Sequence, residues 1–219
     1  MNVGPHVVLL GAGHGRRMGG PKVLTRHGGR TFLERILARC AESASPVTLT
    51  VDPRFRAEVE ALLETCAPPK PTLAEADGTR PMLDSVQAAL AAAQMAAQTA
   101  AQTDAALDAQ AQVAAPWAGG FWLWPVDAPF ISPEGWARAR EAAAGEPDAV
   151  WKLRAGGKTG HPIWFPAWSV PRILAGAWAD GLLGFLAEFS ERIRFLPLEE
   201  ELLADFNTPE RLAEVPPGR

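Results

Sequence analysis

The stretch Leu10-Gly-Ala-Gly-His-Gly-Arg-Arg-Met-Gly-Gly-Pro-Lys22 decides how this chain is read. It follows HVVLL, residues 6–10, a β-branched and leucine run without polar alternation that reads as a buried parallel strand. Gly11, Gly13 and Gly15 alternate directly after it, so backbone amides can approach an anion closely. Arg16, Arg17 and Lys22 follow within the next seven residues. Amides and cations gathered after a first strand make, in chemical terms, a triphosphate site. Two commoner phosphate loops do not fit. The dinucleotide fingerprint needs glycine where Arg16 stands, and the P-loop needs Gly-Lys-Ser/Thr, whereas Lys22 lies between Pro21 and Val23.

Working outward, Thr31-Phe-Leu-Glu34 is a capping box that opens a helix running to about Ser43. A strand is expected over residues 46–51, and Asp52-Pro53 opens the next helix as N-cap and first-turn proline. A strand near residues 72–74, a helix from about Leu83, a strand over 119–126 and a helix opened by Ser132-Pro133-Glu134 continue the pattern. Strands are expected over 149–154 and 162–165, flanking a loop from Ala155 to His161. Helical segments follow near 171–178 and 182–189, then a strand near 193–198 and a helix opened by Thr208-Pro209-Glu210. Alternation of this kind predicts an α/β fold, a mostly parallel sheet with helices on both faces. Ligands then bind beyond the carboxyl ends of the strands, just after Leu10, Ala74 and Val126.

Residues 91–115 hold 13 Ala and 5 Gln in 25 positions, with no Gly or Pro. The segment can be helical but has almost nothing large to bury, so it reads as a helix end running into a low-complexity insertion within one domain spanning 1–219.

The composition sets limits. Of 219 residues, 47% are hydrophobic and 21% charged, which excludes wholesale disorder. Lys and Arg total 21 against 25 Asp and Glu, a net charge of −4, which argues against a nucleic-acid surface. No apolar stretch reaches bilayer length and no basic run precedes the first apolar segment, so neither a membrane span nor a secretory signal is expected. Two cysteines, Cys40 and Cys66, cannot build a disulfide framework; the expected setting is a reducing cytoplasm.

The loop is similar to the signature L-x-x-G-x-[GS]-x-R-M-G-x-P-K of the MobA/MocA-like nucleotidyltransferases, which include molybdenum-cofactor guanylyl- and cytidylyltransferases. The match rests on Leu10, Gly13, Gly15, Arg17, Met18, Gly19, Pro21 and Lys22, with Gly11 standing where that family usually has Ala. Ser85-Val-Gln-Ala-Ala-Leu90 resembles the helix start that closes over the nucleotide. Pro125-Val-Asp127-Ala-Pro-Phe130 resembles the turn with the metal-binding aspartate, and Asp205-Phe-Asn207-Thr-Pro-Glu210 resembles a segment near the family's C-terminus. The resemblance spans about residues 6–213 outside the Ala/Gln stretch. It implies a three-layer, Rossmann-like nucleotidyltransferase fold of the nucleotide-diphospho-sugar transferase type.

It also implies a chemistry: attack on the α-phosphate of an NTP by a phosphorylated small molecule, with pyrophosphate leaving and Mg²⁺ as cofactor. Leu10, Gly11, Ala12, Gly13, Gly15, Arg17, Lys22 and Ser85 are then nucleotide-binding, and Arg17, Lys22 and Asp127 catalytic. Arg17 suits the β/γ oxygens and Lys22 the α-phosphate. Asp127 ends an apolar strand, where a carboxylate is costly without a ligand, and is the best Mg²⁺ ligand; Asn207 offers a second oxygen. Each could instead be a turn residue, Asp127 before Pro129 and Asn207 before the Thr208 cap. Asp205 reads as a brace for its turn. Gly160, His161 and Pro162 resemble a segment on the acceptor side of cytidylyl-type relatives, in a positively chargeable loop with Lys158, although His161 could simply cap a hairpin. His14 is placed where it could touch nucleotide. No Ser, Cys or His nucleophile is required, so both cysteines are expected to be inert.

Ala12, Pro21 and Gly-His-Pro lean toward CTP and a molybdopterin cytidylyltransferase-like activity, with a molybdoenzyme as partner if that holds. The alternatives are a guanylyltransferase, a sugar-phosphate or isoprenoid-pathway nucleotidyltransferase, and a non-catalytic cofactor chaperone that binds nucleotide. The intact set of Arg17, Lys22, Asp127 and Asn207 argues against the last.

Overall fold

The strands are β1 (His6–Leu10), β2 (Arg26–His27), β3 (Arg30–Thr31), β4 (Val47–Val51), β5 (Thr72–Glu75), β6 (Phe121–Pro125), β7 (Val150–Ala155), β8 (Lys158–Phe165) and β9 (Ile193–Pro197). The helices are α1 (Phe32–Glu42), α2 (Arg56–Thr65), α3 (Met82–Asp104), α4 (Pro133–Gly145), α5 (Ser169–Ala175), α6 (Leu182–Glu188) and α7 (Pro209–Ala213). The computed structural model describes residues 4–67, 70–104, 116–198 and 206–216. Residues 105–115 and Asp205, both discussed above, lie outside them.

Seven strands form one sheet in the order β5-β4-β1-β6-β8-β7-β9, and β2 and β3 form a small separate hairpin. In the large sheet β8 alone runs antiparallel to its neighbours. The chain winds outward from β1 through β4 to β5, then returns to place β6 on the other side of β1. That reversal opens a crevice at the carboxyl ends of β1 and β6, the usual ligand position in such sheets.

Strand alternation divides the core into two layers. Val7 and Leu9 of β1, with Trp122 and Trp124 of β6, face one cluster with Leu33 and Ile36 of α1, Val59 of α2 and Trp136 of α4. Val8, Phe121 and Leu123 face the opposite cluster with Val86 and Leu90 of α3, Ile173 of α5 and Phe185 of α6. The result is helices, sheet, helices, as expected. The caps also form as read. Thr31 Oγ1 accepts from the Glu34 amide at 3.1 Å while Glu34 accepts from the Thr31 amide at 2.6 Å. Ser132 and Thr208 cap α4 and α7.

Two expectations need correction. Residues 158–161 are not loop: β8 begins at Lys158, and only Gly156 and Gly157 turn the chain. Both have positive φ, 53° and 79°, as a two-residue hairpin turn demands. The polar run Lys-Thr-Gly-His read as loop because this strand's mixed composition hides its pairing with β7. The Ala-rich segment is also not free of the core. Residues 91–104 continue α3, and Ala93, 3% exposed, packs with Leu90 in the second cluster. Its small side chain lets the helix lie close to its neighbours, a contribution that counting large apolar residues misses.

Candidate active site

The glycine loop is held down at its base. The Gly11 amide donates to both the carbonyl and the hydroxyl oxygen of Thr50 on β4, each at 3.1 Å. A Cβ at Gly11 would lie 2.8 Å from the Thr50 carbonyl oxygen, which accounts for glycine here. Gly15 has φ of 56°, and a Cβ there would lie 1.9 Å from the Gly20 carbonyl oxygen. Gly13 differs: nothing lies within 4 Å of its Cβ position, so the fold leaves that space to whatever approaches the loop.

The Asp127 turn is braced from beneath. The buried Trp124 indole donates to the Ala128 carbonyl at 2.8 Å, and the Phe206 amide donates to the Asp127 carbonyl at 3.0 Å. Phe206 packs with Phe32 and Phe130, its ring centroid 4.9 Å from that of Phe130. This aromatic cluster brings Asn207 beside Asp127. Lys22 closes the group: its Nζ donates to Asp127 Oδ2 at 2.6 Å and to Asn207 Oδ1 at 2.5 Å. One loop after β1, one after β6 and the C-terminal segment thus meet at a single ammonium. Two hard oxygens converging on a cation are also the donor set that suits a small divalent ion, so the residues present fit Mg²⁺.

A cavity of about 300 Å³ opens over this group. Leu10, Ala12, Gly13, Gly15, Lys22, Ser85 and Asp127 are among its lining residues. Gly11 lies buried beneath. Arg17 sits exposed on a 3₁₀ turn, Arg16–Met18, and does not line the cavity. The sequence reading missed Thr50, Gly78 and Met82 as lining residues and gave Arg80 no role; Arg80 pairs with Asp84 at 2.7 Å. Gly78-Thr-Arg80, set between a strand and a helix, was the available signal.

A second cavity, of about 450 Å³, shares Met82 with the first. Gly160 and His161 line it; Pro162 is buried and does not. Its other walls include apolar side chains from Ile163, Leu182, Leu183 and Leu186, with Thr159 and the exposed Asp180 carboxylate beside them. Burial pushes the His161 imidazole down to about 4, the nearby Asp127 carboxylate opposing only in part, so the ring is neutral near pH 7. The expected positively chargeable loop is therefore not what faces this space. The cation is Lys152 on β7, whose ammonium burial and Arg154 push down from its ordinary value, and which has no ion-pair partner among the described residues. On a strand of mixed composition it carries no local signature.

Cys40 and Cys66 stay outside both cavities. Burial pushes the Cys40 thiol up to about 12 and the Cys66 thiol upward, which leaves both poor nucleophiles.

A mostly parallel sheet with a glycine loop, a lysine and a carboxylate–amide pair around one cavity fits a nucleotidyltransferase. The MobA-like NTP transferase domain matches residues 7–193, and the chain belongs to that family. Its fold is shared with Rv0371c from Mycobacterium tuberculosis H37Rv, at 20% identity over 97% of this chain and 100% of that one, TM-score 0.72. That protein has also been solved in complex with manganese. A nucleotidyl transferase from Methanothermobacter thermautotrophicus aligns at 18% identity over 95% and 94% of the two chains, TM-score 0.66. Molybdopterin-guanine dinucleotide biosynthesis protein A from Archaeoglobus fulgidus aligns at 15% identity over 95% of each chain, TM-score 0.58. No curated protein matches the sequence. No helix among the described residues is long and apolar enough to cross a membrane.

Proposed function

We propose that this enzyme transfers a nucleoside monophosphate from CTP to a phosphorylated small molecule, releasing pyrophosphate, with molybdopterin as acceptor and a molybdoenzyme as downstream partner. The observation that carries the reading is Lys22 bridging Asp127 and Asn207 at the floor of the glycine-loop cavity. Asp127 and Asn207 would hold Mg²⁺, and the manganese complex of Rv0371c supports a divalent ion in this fold. A bound ion would neutralise charge on the phosphate undergoing attack.

The chain's own groups do the rest. Gly13 and Gly15 line the cavity, so their amides would be available to the triphosphate, and Ser85 lines it from the start of α3. Lys22 lines the cavity, so its ammonium is available to a phosphate oxygen once Asp127 and Asn207 hold another cation. Arg17, exposed beside the loop, would meet the outer phosphates. The acceptor enters the second cavity, its anionic group against Lys152 and its less polar body against Leu182 and Leu186, with Gly160 and His161 at the side nearer Asp127. We read the chain as one domain interrupted by the Ala/Gln stretch, working in a reducing cytoplasm.

The CTP preference rests on Ala12, Pro21 and Gly160-His161-Pro162 taken together; of these Ala12 lines the cavity and is 4% exposed, leaving less room beside a base than glycine would. Competition binding of CTP against GTP in the presence of Mg²⁺ tests it. CTP binds more tightly to the wild type, and Ala12→Gly narrows the gap. Tighter GTP binding by the wild type refutes the cytidylyl assignment in favour of a guanylyl enzyme.

A further inference from the structure

We propose that Asp52 is a positioning residue that clamps the glycine loop to the loop of residues 76–81, setting two walls of the nucleotide cavity before a ligand arrives. Sequence reading makes Asp52 a helix N-cap, and it does accept from the Arg54 amide at 3.0 Å. That role needs one oxygen and no burial. Asp52 is 3% exposed, and its carboxylate collects further donors. Oδ2 lies 2.8 Å from the His14 ring Nε2, which the Arg54 guanidinium also contacts, and accepts from the Gly78 amide at 3.3 Å, while the Arg54 side chain donates to both oxygens at 2.9 Å. His14 belongs to the loop after β1 and Gly78 to the loop after β5, on either side of β4 in the sheet.

The two loops also touch directly. A Cβ at Gly78 would lie 2.0 Å from the Ala12 carbonyl oxygen and 2.8 Å from the His14 ring. Only glycine permits this approach. Ala12 and Gly78 both line the cavity, whereas Asp52 and His14 do not. Asp52 therefore acts through its partners. The donors around it hold its carboxyl well below the usual carboxylate range, so the clamp stays ionised at any working pH. His14, Asp52 and Asp77 also place one ligand atom each within 4.8 Å of one another, as a metal triad would. The Asp52 oxygens are already occupied by Arg54 and Gly78, and Asp77 by Thr79, which favours a clamp over an ion site. A loop fixed in advance loses less conformational freedom when a ligand binds.

The link to nucleotide rests on the proposed function; the clamp itself does not, and two readouts separate them. Hydrogen exchange of the ligand-free protein is followed over residues 10–20 and 76–82 in the wild type, Asp52→Asn, His14→Ala and the double variant. Asp52→Asn keeps the cap, since Asn also caps helices. Both loops lose protection together in each single variant. Unchanged exchange in the loop of residues 76–82 on changing His14 overturns the clamp. CTP and GTP affinities are measured on the same proteins at a temperature where all are folded. Each single variant weakens the preferred nucleotide by about tenfold, the scale of one charge-assisted hydrogen bond, and the double variant no more than the worse single one. Additive losses mean two independent contributions and refute the clamp. A wild type that binds neither nucleotide refutes the functional reading, while the exchange data still decide the clamp.

Discussion

The two walls of the cleft are made in opposite ways. The glycine-loop wall is polar and cross-braced: Thr50, Asp52, Lys22 and Asn207 each tie one segment to another through hydrogen bonds. The wall to which the proposed function assigns the acceptor is formed by apolar side chains of β8 and α6, with the half-buried ammonium of Lys152, the neutral imidazole of His161 and the exposed carboxylate of Asp180. Under the proposed function the first wall would meet several phosphate oxygens, which requires donors that do not reorganise when charge arrives. Under the same function the second would exclude water and orient a bulkier partner, for which shape and a few charged groups suffice.

The largest break comes at the braced wall. Asp127→Ala removes a carboxylate at a strand end outside the core. Pyrophosphate release falls roughly 10³-fold or more, with far-UV circular dichroism unchanged. Retained turnover removes Asp127 from the reaction.

The next effect lies outside both walls and serves as their control. His6, at the far end of β1, is buried against Thr48 at 3.0 Å, and burial pushes its imidazole from 6.5 down to about 4. The unfolded chain therefore takes up the proton first as pH falls. Stability is complete above about pH 6.5 and declines toward pH 4, by about 3 kcal/mol for this group. Melting temperatures at pH 7 and pH 4.5 show the loss, and His6→Gln reduces it. An equal loss in that variant assigns the acid lability elsewhere.

Lys152→Gln separates the walls. CTP affinity is unchanged, while the molybdopterin concentration for half-maximal pyrophosphate release rises about tenfold, the worth of a charge-assisted contact. A loss of CTP affinity instead places Lys152 on the nucleotide side. The smallest effect belongs to Asn207→Ala, which raises the Mg²⁺ concentration for half-maximal rate about threefold to tenfold if Asn207 supplies the proposed neutral oxygen to the ion. An unchanged Mg²⁺ titration leaves Asn207 as a turn residue.

Legibility follows the same division. Residues 10–22 are recognisable because a loop built from backbone amides must spell out its glycines and cations in order. Arg17 shows the limit of that kind of reading: its motif is intact, yet its side chain is exposed and off the cavity wall. Lys152 and the strand character of residues 158–161 had no local signal. A strand's side chains take their meaning from the neighbour they pair with, and β8 is set by β6 on one side and β7 on the other.

The sequence by itself determined the α/β alternation, the helix caps, the glycine loop and the Asp127 turn, because each depends on backbone chemistry within a few residues. The tertiary structure alone decided which of these meet. Lys22 reaches Asp127 and Asn207 across 105 and 185 positions because the sheet order sets β6 beside β1 and the Phe32–Phe130–Phe206 cluster anchors the C-terminal segment. Asp52 became more than a cap for the same reason. Its two loop partners come together only when β1 and β5 flank β4, and burial there makes every donor to its carboxylate count.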